Sequence, residues 1–266
     1  MFTKTIVFLA VILALARIIS VILDRCMFPK LTHSYTKKQV DSPITPFVNM
    51  NRTVGYFLYH PSYQYTILYS HGNGSDVGHQ RQWCWELHTS LHMNVLCYDY
   101  IGYGLSTSPN GTTNTPSEHG CYQSAECAIH FLTKTKQIPK NKIILLGHSL
   151  GTGVTCELAI KHPGIAGVVL MAPFTSALGV VSQTIANHLS LIDRMKSIDK
   201  IGHISQPVYI LHGKQDAIIN YHSAFKLKEQ NPTNIAVEII ENGNHVNLSS
   251  VASHNIFKMI LACTQH

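Results

Sequence analysis

The stretch Ile143–Gly151 reads IILLGHSLG and decides the fold. Its first four residues form a continuous apolar run, which is typical of a strand in a parallel sheet buried on both faces. The last five residues match G-x-S-x-G, the sharp strand-to-helix turn that presents a nucleophilic serine. The flanking glycines leave out the Cβ atoms that would collide with the neighbouring strand and helix. We therefore expect Ser149 to be a nucleophile; the alternative is a glycine-rich turn with an idle serine.

Short β-branched runs alternate with amphipathic stretches on both sides of this motif. The predicted strands are Val54–His60, Thr66–Ser70, Asn94–Tyr100, Ile143–Gly147, Gly167–Met171, Val208–His212 and Val237–Ile240. The predicted helices are Gly78–Leu91, Ser117–Thr135, Leu150–Lys161, Tyr221–Gln230 and Leu248–Ala262. Strands that alternate with helices indicate right-handed βαβ units. The sequence thus predicts one α/β domain over residues 44–266, with a mostly parallel central sheet flanked by helices.

A serine hydroxyl needs a base before it becomes a good nucleophile. Asp216 follows the strand Val208–His212, and His245 follows the strand Val237–Ile240. The order Ser, acid, His is that of hydrolases built on a nucleophile elbow. Loops after parallel strands converge at one sheet edge, so the three side chains can meet. We expect His245 to be the general base and acid, and Asp216 to fix its tautomer.

Other carboxylates also lie near predicted strand ends. Asp193 and Asp199, in the segment after Met171, are rival candidates for the acid. Asp99 ends a strand too, but it lies upstream of Ser149 and is interpreted as a turn-shaping residue.

The oxyanion of a tetrahedral intermediate needs two N–H donors. The backbone of Leu150 is expected to supply one, and the loop HGNG after the strand Thr66–Ser70 should supply the other. We expect that second donor to be the N–H of Asn73; a simple tight turn is the alternative. The sequence has no P-loop and no complete dinucleotide fingerprint, so no cofactor or metal is implied.

Composition excludes several classes of protein. Of 266 residues 45% are hydrophobic, which rules out a disordered chain, and only 13% are charged. The formal charge of +6 is spread along the chain, so nucleic-acid binding is not expected. Seven cysteines without C-x-x-C spacing are interpreted as buried apolar residues.

The N-terminal stretch Thr5–Leu23 is 19 residues long and almost wholly apolar. That length is close to the roughly 20 residues of a membrane-spanning helix. Arg17 costs about 2.5–3.5 kcal/mol on the insertion scale, and the thirteen Leu, Ile, Val and Phe residues outweigh it modestly. Residues 1–43 are therefore predicted to be a membrane anchor, formed by this stretch as an uncleaved hydrophobic helix, and a juxtamembrane segment. A cleaved signal peptide and a soluble helix are the alternatives.

The charges around this stretch predict its orientation. One lysine, Lys4, precedes it, whereas four basic residues follow it: Arg25, Lys30, Lys37 and Lys38. The positive-inside rule then favours a cytosolic catalytic domain. Glycosylation sequons at Asn51, Asn110 and Asn247 leave a lumenal or secreted domain as the alternative.

From about Tyr56 to His266 the chain resembles the α/β-hydrolase superfamily. The resemblance rests on SHGNG, YDYIGYG, GHSLGTG, HGKQD and GNH, in that order. The first two motifs, a helix that opens with Ser117, and APFTS after the next strand are similar to the branch of α/β-hydrolase-domain-containing protein 17, membrane-associated palmitoyl-protein thioesterases. The resemblance implies a cytosol-facing acyl-protein thioesterase, with Ser149, Asp216 and His245 as its triad. That branch usually associates through an N-terminal cysteine cluster, whereas here only Cys26 lies nearby.

Only about 35 residues, Ala172–Gln206, separate two strands at the position where larger hydrolases insert a cap. This short lid predicts an open cleft that suits bulky acyl groups on proteins or lipid-like esters. Its apolar residues either line an acyl groove or pack on the core: Leu178, Val180, Val181, Ile185, Leu189 and Leu191. A carboxylesterase, a serine peptidase and a catalytically silent binding module remain the alternative functions.

Overall fold

The computed structural model describes residues 2–29, 32–42, 46–111 and 114–265. The strands of the described part are β1 Phe47–Met50, β2 Thr53–Leu58, β3 Thr66–Ser70, β4 Asn94–Tyr98, β5 Ile143–His148, β6 Gly167–Met171, β7 Val208–Gly213 and β8 Ile235–Ile240. They form one eight-stranded sheet in the order β1-β2-β4-β3-β5-β6-β7-β8. The first two strands pair antiparallel, as do β2 and β4, and every other pair is parallel. The predicted α/β architecture is therefore confirmed.

Helices cover both faces of this sheet. The α-helices of the described part are α1 Phe2–Met27, α2 Lys37–Val40, α3 Arg81–Leu91, α4 Glu118–His130, α5 Leu150–Lys161, α6 Ala177–Val181, α7 Gln183–His188, α8 His222–Lys228, α9 Leu248–Val251 and α10 Ser253–Ala262. Buried side chains of α4, α5 and α8 belong to one apolar cluster, and those of α3 and α10 belong to a second. The sheet thus separates two cores.

The central strand β5 shows why the sequence Ile143–Leu146 is apolar at every position. In β5, Ile143 and Leu145 belong to one core, while Ile144 and Leu146 belong to the other. Side chains alternate between the two faces of a strand, so a strand covered on both faces needs apolar residues at successive positions.

Several element bounds differ from those predicted. The sequence did not indicate β1, and the predicted helix Leu248–Ala262 is divided at Ala252 into α9 and α10. The predicted helix Ser117–Thr135 continues as far as expected, but its last turn, Phe131–Thr135, is a π-helix.

The N-terminal helix forms as predicted and extends from Phe2 to Met27. Among the residues that the structure describes, no helix is both long enough and apolar enough to cross a bilayer. The expected membrane-spanning anchor over Thr5–Leu23 is thus not supported. Asp24 near the end of the helix forms an ion pair with Arg194 of the domain (Nε–Oδ1 2.8 Å).

The segment after this helix packs against the α/β domain. The side chain of Tyr35 is buried and its hydroxyl donates a hydrogen bond to Asp99. Ser34 donates to Asp76 through both its backbone N–H and its hydroxyl. Tyr35 is therefore part of the core beside the sheet, and Val40 packs against it. The predicted boundary between residues 43 and 44 lies outside the described residues and stays a prediction.

Candidate active site

The strand-to-helix turn places Ser149 at the carboxyl edge of the sheet. The strand β5 ends at His148, α5 begins at Leu150, and Ser149 between them has φ +51° and ψ −118°. This is a conformation that non-glycine residues rarely adopt, and it costs about 1–3 kcal/mol. A Cβ on Gly151 would collide with the backbone carbonyl of Ser70 on β3, so glycine is required there.

Ser149, His245 and Asp216 lie in hydrogen-bond succession. His245 Nε2 lies 2.9 Å from Ser149 Oγ, and His245 Nδ1 lies 2.8 Å from Asp216 Oδ2. A carboxylate accepts, so Nδ1 carries the proton and donates to Asp216. Nε2 is then free to accept the proton of the serine hydroxyl. The structure thus unites the three residues that the sequence predicted as a relay.

Asp216 is held as a carboxylate by several donors. The backbone N–H groups of Ile218 and Ile219 donate to its Oδ1 at 2.9 and 2.8 Å. Burial by itself would raise the pKa of Asp216, but hydrogen bonds from His212 and His245 outweigh it and hold this pKa far below its usual range. An ionised carboxylate therefore faces the histidine throughout the neutral pH range.

His212 is a member of the site that sequence reasoning missed. Its ring is fully buried, and its Nε2 lies 2.9 Å from the carbonyl oxygen of Ile219 and 3.4 Å from Asp216 Oδ2. It fixes the loop that carries the acid. The signal available was its place in HGKQD, the motif that ends in Asp216.

His148, just before the nucleophile, is a second residue that the sequence did not single out. Its Nε2 lies 3.3 Å from the backbone carbonyl of His245, so the neutral ring donates to the loop that carries His245. Burial, and then the nearby His245, lower the pKa of His148 to about 4. The ring consequently stays neutral at physiological pH and supports the base without adding charge.

The protein should lose stability in mild acid because of His148. Its pKa is lower in the folded chain (about 4) than in the unfolded chain (about 6.5), so protons bind the unfolded state preferentially between these values. The variant His148→Gln keeps an N–H donor but does not titrate in this range. Between pH 7 and pH 5 its unfolding free energy should therefore fall by about 2 kcal/mol less than that of the wild type. Urea unfolding at both pH values measures this. An equal pH dependence in the two proteins would contradict the assignment.

The two predicted oxyanion donors lie beside the nucleophile. Leu150 follows Ser149 directly as the first residue of α5. Asn73 follows Gly72, on which a Cβ would lie 3.4 Å from the Cβ of Ser149. The start of α5 and the Asn73 loop therefore both border the serine, and the role of these two backbone N–H groups as donors stays a prediction.

The rival carboxylates are engaged elsewhere. Asp193 accepts hydrogen bonds from the backbone of Leu178 and Arg194, both at 2.8 Å. Asp199 forms an ion pair with Lys196 at 2.8 Å. Neither carboxylate is placed with Ser149 and His245 in the relay.

Asp99 does more than shape its own turn. Its buried carboxylate accepts from the backbone N–H of Val77 at 2.9 Å and from the hydroxyl of Tyr35, and it lies 3.3 Å from His71 Nε2. Since His71 and Val77 belong to the loop after β3, Asp99 braces the loop that carries Asn73.

The short lid is rich in exposed apolar side chains. Of its six apolar candidates only Leu178 is buried, while the other five are exposed: Val180, Val181, Ile185, Leu189 and Leu191. Leu191 is fully exposed, at 102%. A core-facing stripe would be covered, so this exposure counts against the core-packing alternative for these five residues.

The fold and the site are those of an α/β-hydrolase of the serine type. The profile of the hydrolase family described as serine aminopeptidase, S33, matches residues 61–197, and the chain belongs to that family. It is also similar to α/β hydrolase domain-containing protein 17C of Xenopus tropicalis, with 32% identity over 194 residues. That alignment covers 73% of this chain and 60% of the relative.

Two further comparisons agree with this assignment. A protein described as an α/β hydrolase in Acanthamoeba polyphaga mimivirus is 38% identical over 160 residues, which cover 60% of this chain and 58% of that protein. The chain thus spans about three fifths of the length of these relatives. The structure of an esterase from Pyrococcus furiosus superposes with a TM-score of 0.65 at 15% identity, covering 88% of this chain and 94% of the esterase, and shows the same fold.

Proposed function

We propose that this protein is a serine hydrolase that cleaves ester and thioester bonds through an acyl-enzyme, with long acyl chains on proteins as its preferred substrates. The observation that carries the proposal is the relay from Ser149 through His245 to Asp216, with distances of 2.9 and 2.8 Å. A silent binding module would have no need of three side chains in this geometry.

The reaction follows from the positions of these atoms. Ser149 Oγ attacks the acyl carbon while its proton passes to His245 Nε2. The negative charge on the acyl oxygen faces the N–H groups of Leu150 and Asn73. His245 then gives its proton to the departing sulfur or oxygen, leaving the acyl group on Ser149. A water molecule, deprotonated by His245, releases the carboxylic acid and restores the hydroxyl.

The surroundings of the relay support a long acyl group. Exposed apolar side chains follow the acid and the base directly in the chain: Ile218 lies two residues after Asp216, and Val246 next to His245 is 81% exposed. The lid adds a further set of exposed apolar residues, including Val181. Together they offer apolar surface that an alkyl chain would cover.

A thioester fits this machinery better than an amide does. A thiol has a much lower pKa than an amine, so a thiolate departs with little help. The resemblance to α/β hydrolase domain-containing protein 17 supports the same choice of substrate. Our proposal is therefore an acyl-protein thioesterase.

An aminopeptidase is the second candidate, favoured by the description of the matching family. It would use the same serine, base and acid. The two functions differ in the bond that is cleaved and in the need to recognise a free α-amino group.

Three matched substrates test the proposal. We expect the protein to hydrolyse an S-palmitoyl peptide at least about a hundredfold faster, in kcat/KM, than the N-palmitoyl peptide of the same sequence, because the amide has the poorer leaving group. A leucine anilide, which reports aminopeptidase activity, should be cleaved no faster than the N-palmitoyl peptide. Equal or better turnover of either amide would overturn the thioesterase assignment.

A further inference from the structure

The last turn of α1 contacts two loops of the active site. Asp24 accepts from Arg194 through both oxygens (Nε–Oδ1 2.8 Å, Nη2–Oδ2 3.4 Å). The carbonyl of Met27 accepts from Asn73 Nδ2 at 2.8 Å. Phe28, which follows the helix, is buried in the core. Asp24, Met27 and Phe28 are called the docking end of α1.

The side chain of Asn73 is held from two directions. The docking end of α1 takes its amide hydrogen, while the hydroxyl of Tyr103 donates to its Oδ1 at 2.9 Å. The orientation of this side chain constrains the peptide unit of Asn73, one residue beyond the Gly72 that packs beside Ser149. A displacement of the docking end of α1 would therefore move the side chain of Asn73, and through it the loop that borders Ser149.

We propose that the docking end of α1 is a positioning element of the oxyanion hole: docked, it holds the Asn73 loop in the geometry that receives the oxyanion. Asp24, Met27 and the side chain of Asn73 are then positioning groups, and only the backbone N–H of Asn73 would touch the reacting atoms. The inference rests on the proposed acyl transfer at Ser149.

The ion pair between Asp24 and Arg194 links the docking end of α1 to the lid as well. Arg194 lies in the lid segment, and its Nη1 donates to the carbonyl of Ile192 at 2.6 Å. The next residue, Met195, donates its N–H to Glu118 Oε1 at 2.9 Å. The docking end of α1 therefore joins the Asn73 loop and the base of the lid, which are far apart in the sequence.

A double-mutant cycle tests the proposal on the full chain. Asn73→Ala removes the link to Met27, and Asp24→Lys places a cation against Arg194 and should drive the helix end away. Each variant is expected to lower kcat for an acyl ester about tenfold or more while KM changes less than about twofold, since the oxyanion forms only in the transition state. Because both act through the same loop, the double variant should be no worse than about the poorer single variant.

Arg25→Glu is the matched control: it reverses a charge on the neighbouring, exposed residue of the same helix and should leave kcat unchanged. An unchanged kcat in Asn73→Ala or in Asp24→Lys would overturn the inference, as would losses that multiply in the double variant. An inactive wild-type protein would instead overturn the proposed function.

Discussion

Replacing Ser149 with alanine is expected to lower ester hydrolysis by a factor of about 10⁴–10⁶, because the acyl-enzyme cannot form without its hydroxyl. The side chain is almost buried, so the change removes one oxygen without opening the fold. Turnover of an acyl ester gives the rate, and covalent labelling by a fluorophosphonate probe reports the nucleophile directly. Labelling of the wild type and none of Ser149→Ala is the expected pair of results.

Ser250→Ala is the control for this experiment. Ser250 lies on α9, close in sequence to His245, and its exposed hydroxyl donates only to the local carbonyl of Asn247 at 2.8 Å. It should keep full labelling and full turnover. Wild-type protein that does not label, or a Ser149→Ala protein that still labels, would show that the nucleophile has been misassigned.

Replacing Gly151 with alanine is expected to have the largest effect on stability. The added methyl group would collide with the backbone of Ser70 and His71 on the neighbouring strand and loop, where no side chain can swing aside. Helix α5 would have to move away from β3, at a cost of about 3–5 kcal/mol. Thermal and urea unfolding measure the loss, and the same movement would displace Ser149 and reduce activity.

Gly153→Ala is the control for this prediction. Gly153 lies two residues further along α5, so the variant tests whether any alanine in place of glycine in this helix is destabilising. A Cβ there would lie 3.2 Å from Met195 Sδ, 3.3 Å from Met195 Cβ and 3.4 Å from Phe174 Cζ, contacts that a shift of a few tenths of an ångström relieves. Its unfolding free energy should therefore change by less than about 1 kcal/mol. Similar losses in the two variants would show that the close approach of α5 and β3 is not what requires Gly151.

The buried part of the fold was predictable because its signals are local. The strands β3 and β6 were predicted with their observed bounds, since each is a short apolar run beside turn residues. The relay was predictable because Asp216 and His245 each follow such a run, and parallel strands end at one edge.

Features at the margins of the sheet carried weaker signals. The strand β1 is an antiparallel edge strand of four residues in which only Met50 is buried, so its apolar pattern is too brief to identify. The break at Ala252 is not marked by glycine or proline, and we have no physical account of it.

The contacts that support the active site could not be read from the sequence because they join distant segments. Asp24 and Arg194 are 170 positions apart, and each is an ordinary charged residue in its own neighbourhood. Tyr35 and Asp99 meet in the same way across 64 positions. Local patterns identify the groups that would react, whereas only the folded chain shows what positions them.

The positive φ angle of Ser149 sets the stability of the folded protein against its activity. A glycine at this position would relieve the strained torsion angles of the turn, yet it would carry no hydroxyl. A substitution that raises stability at this position would therefore remove the hydroxyl that the proposed reaction requires.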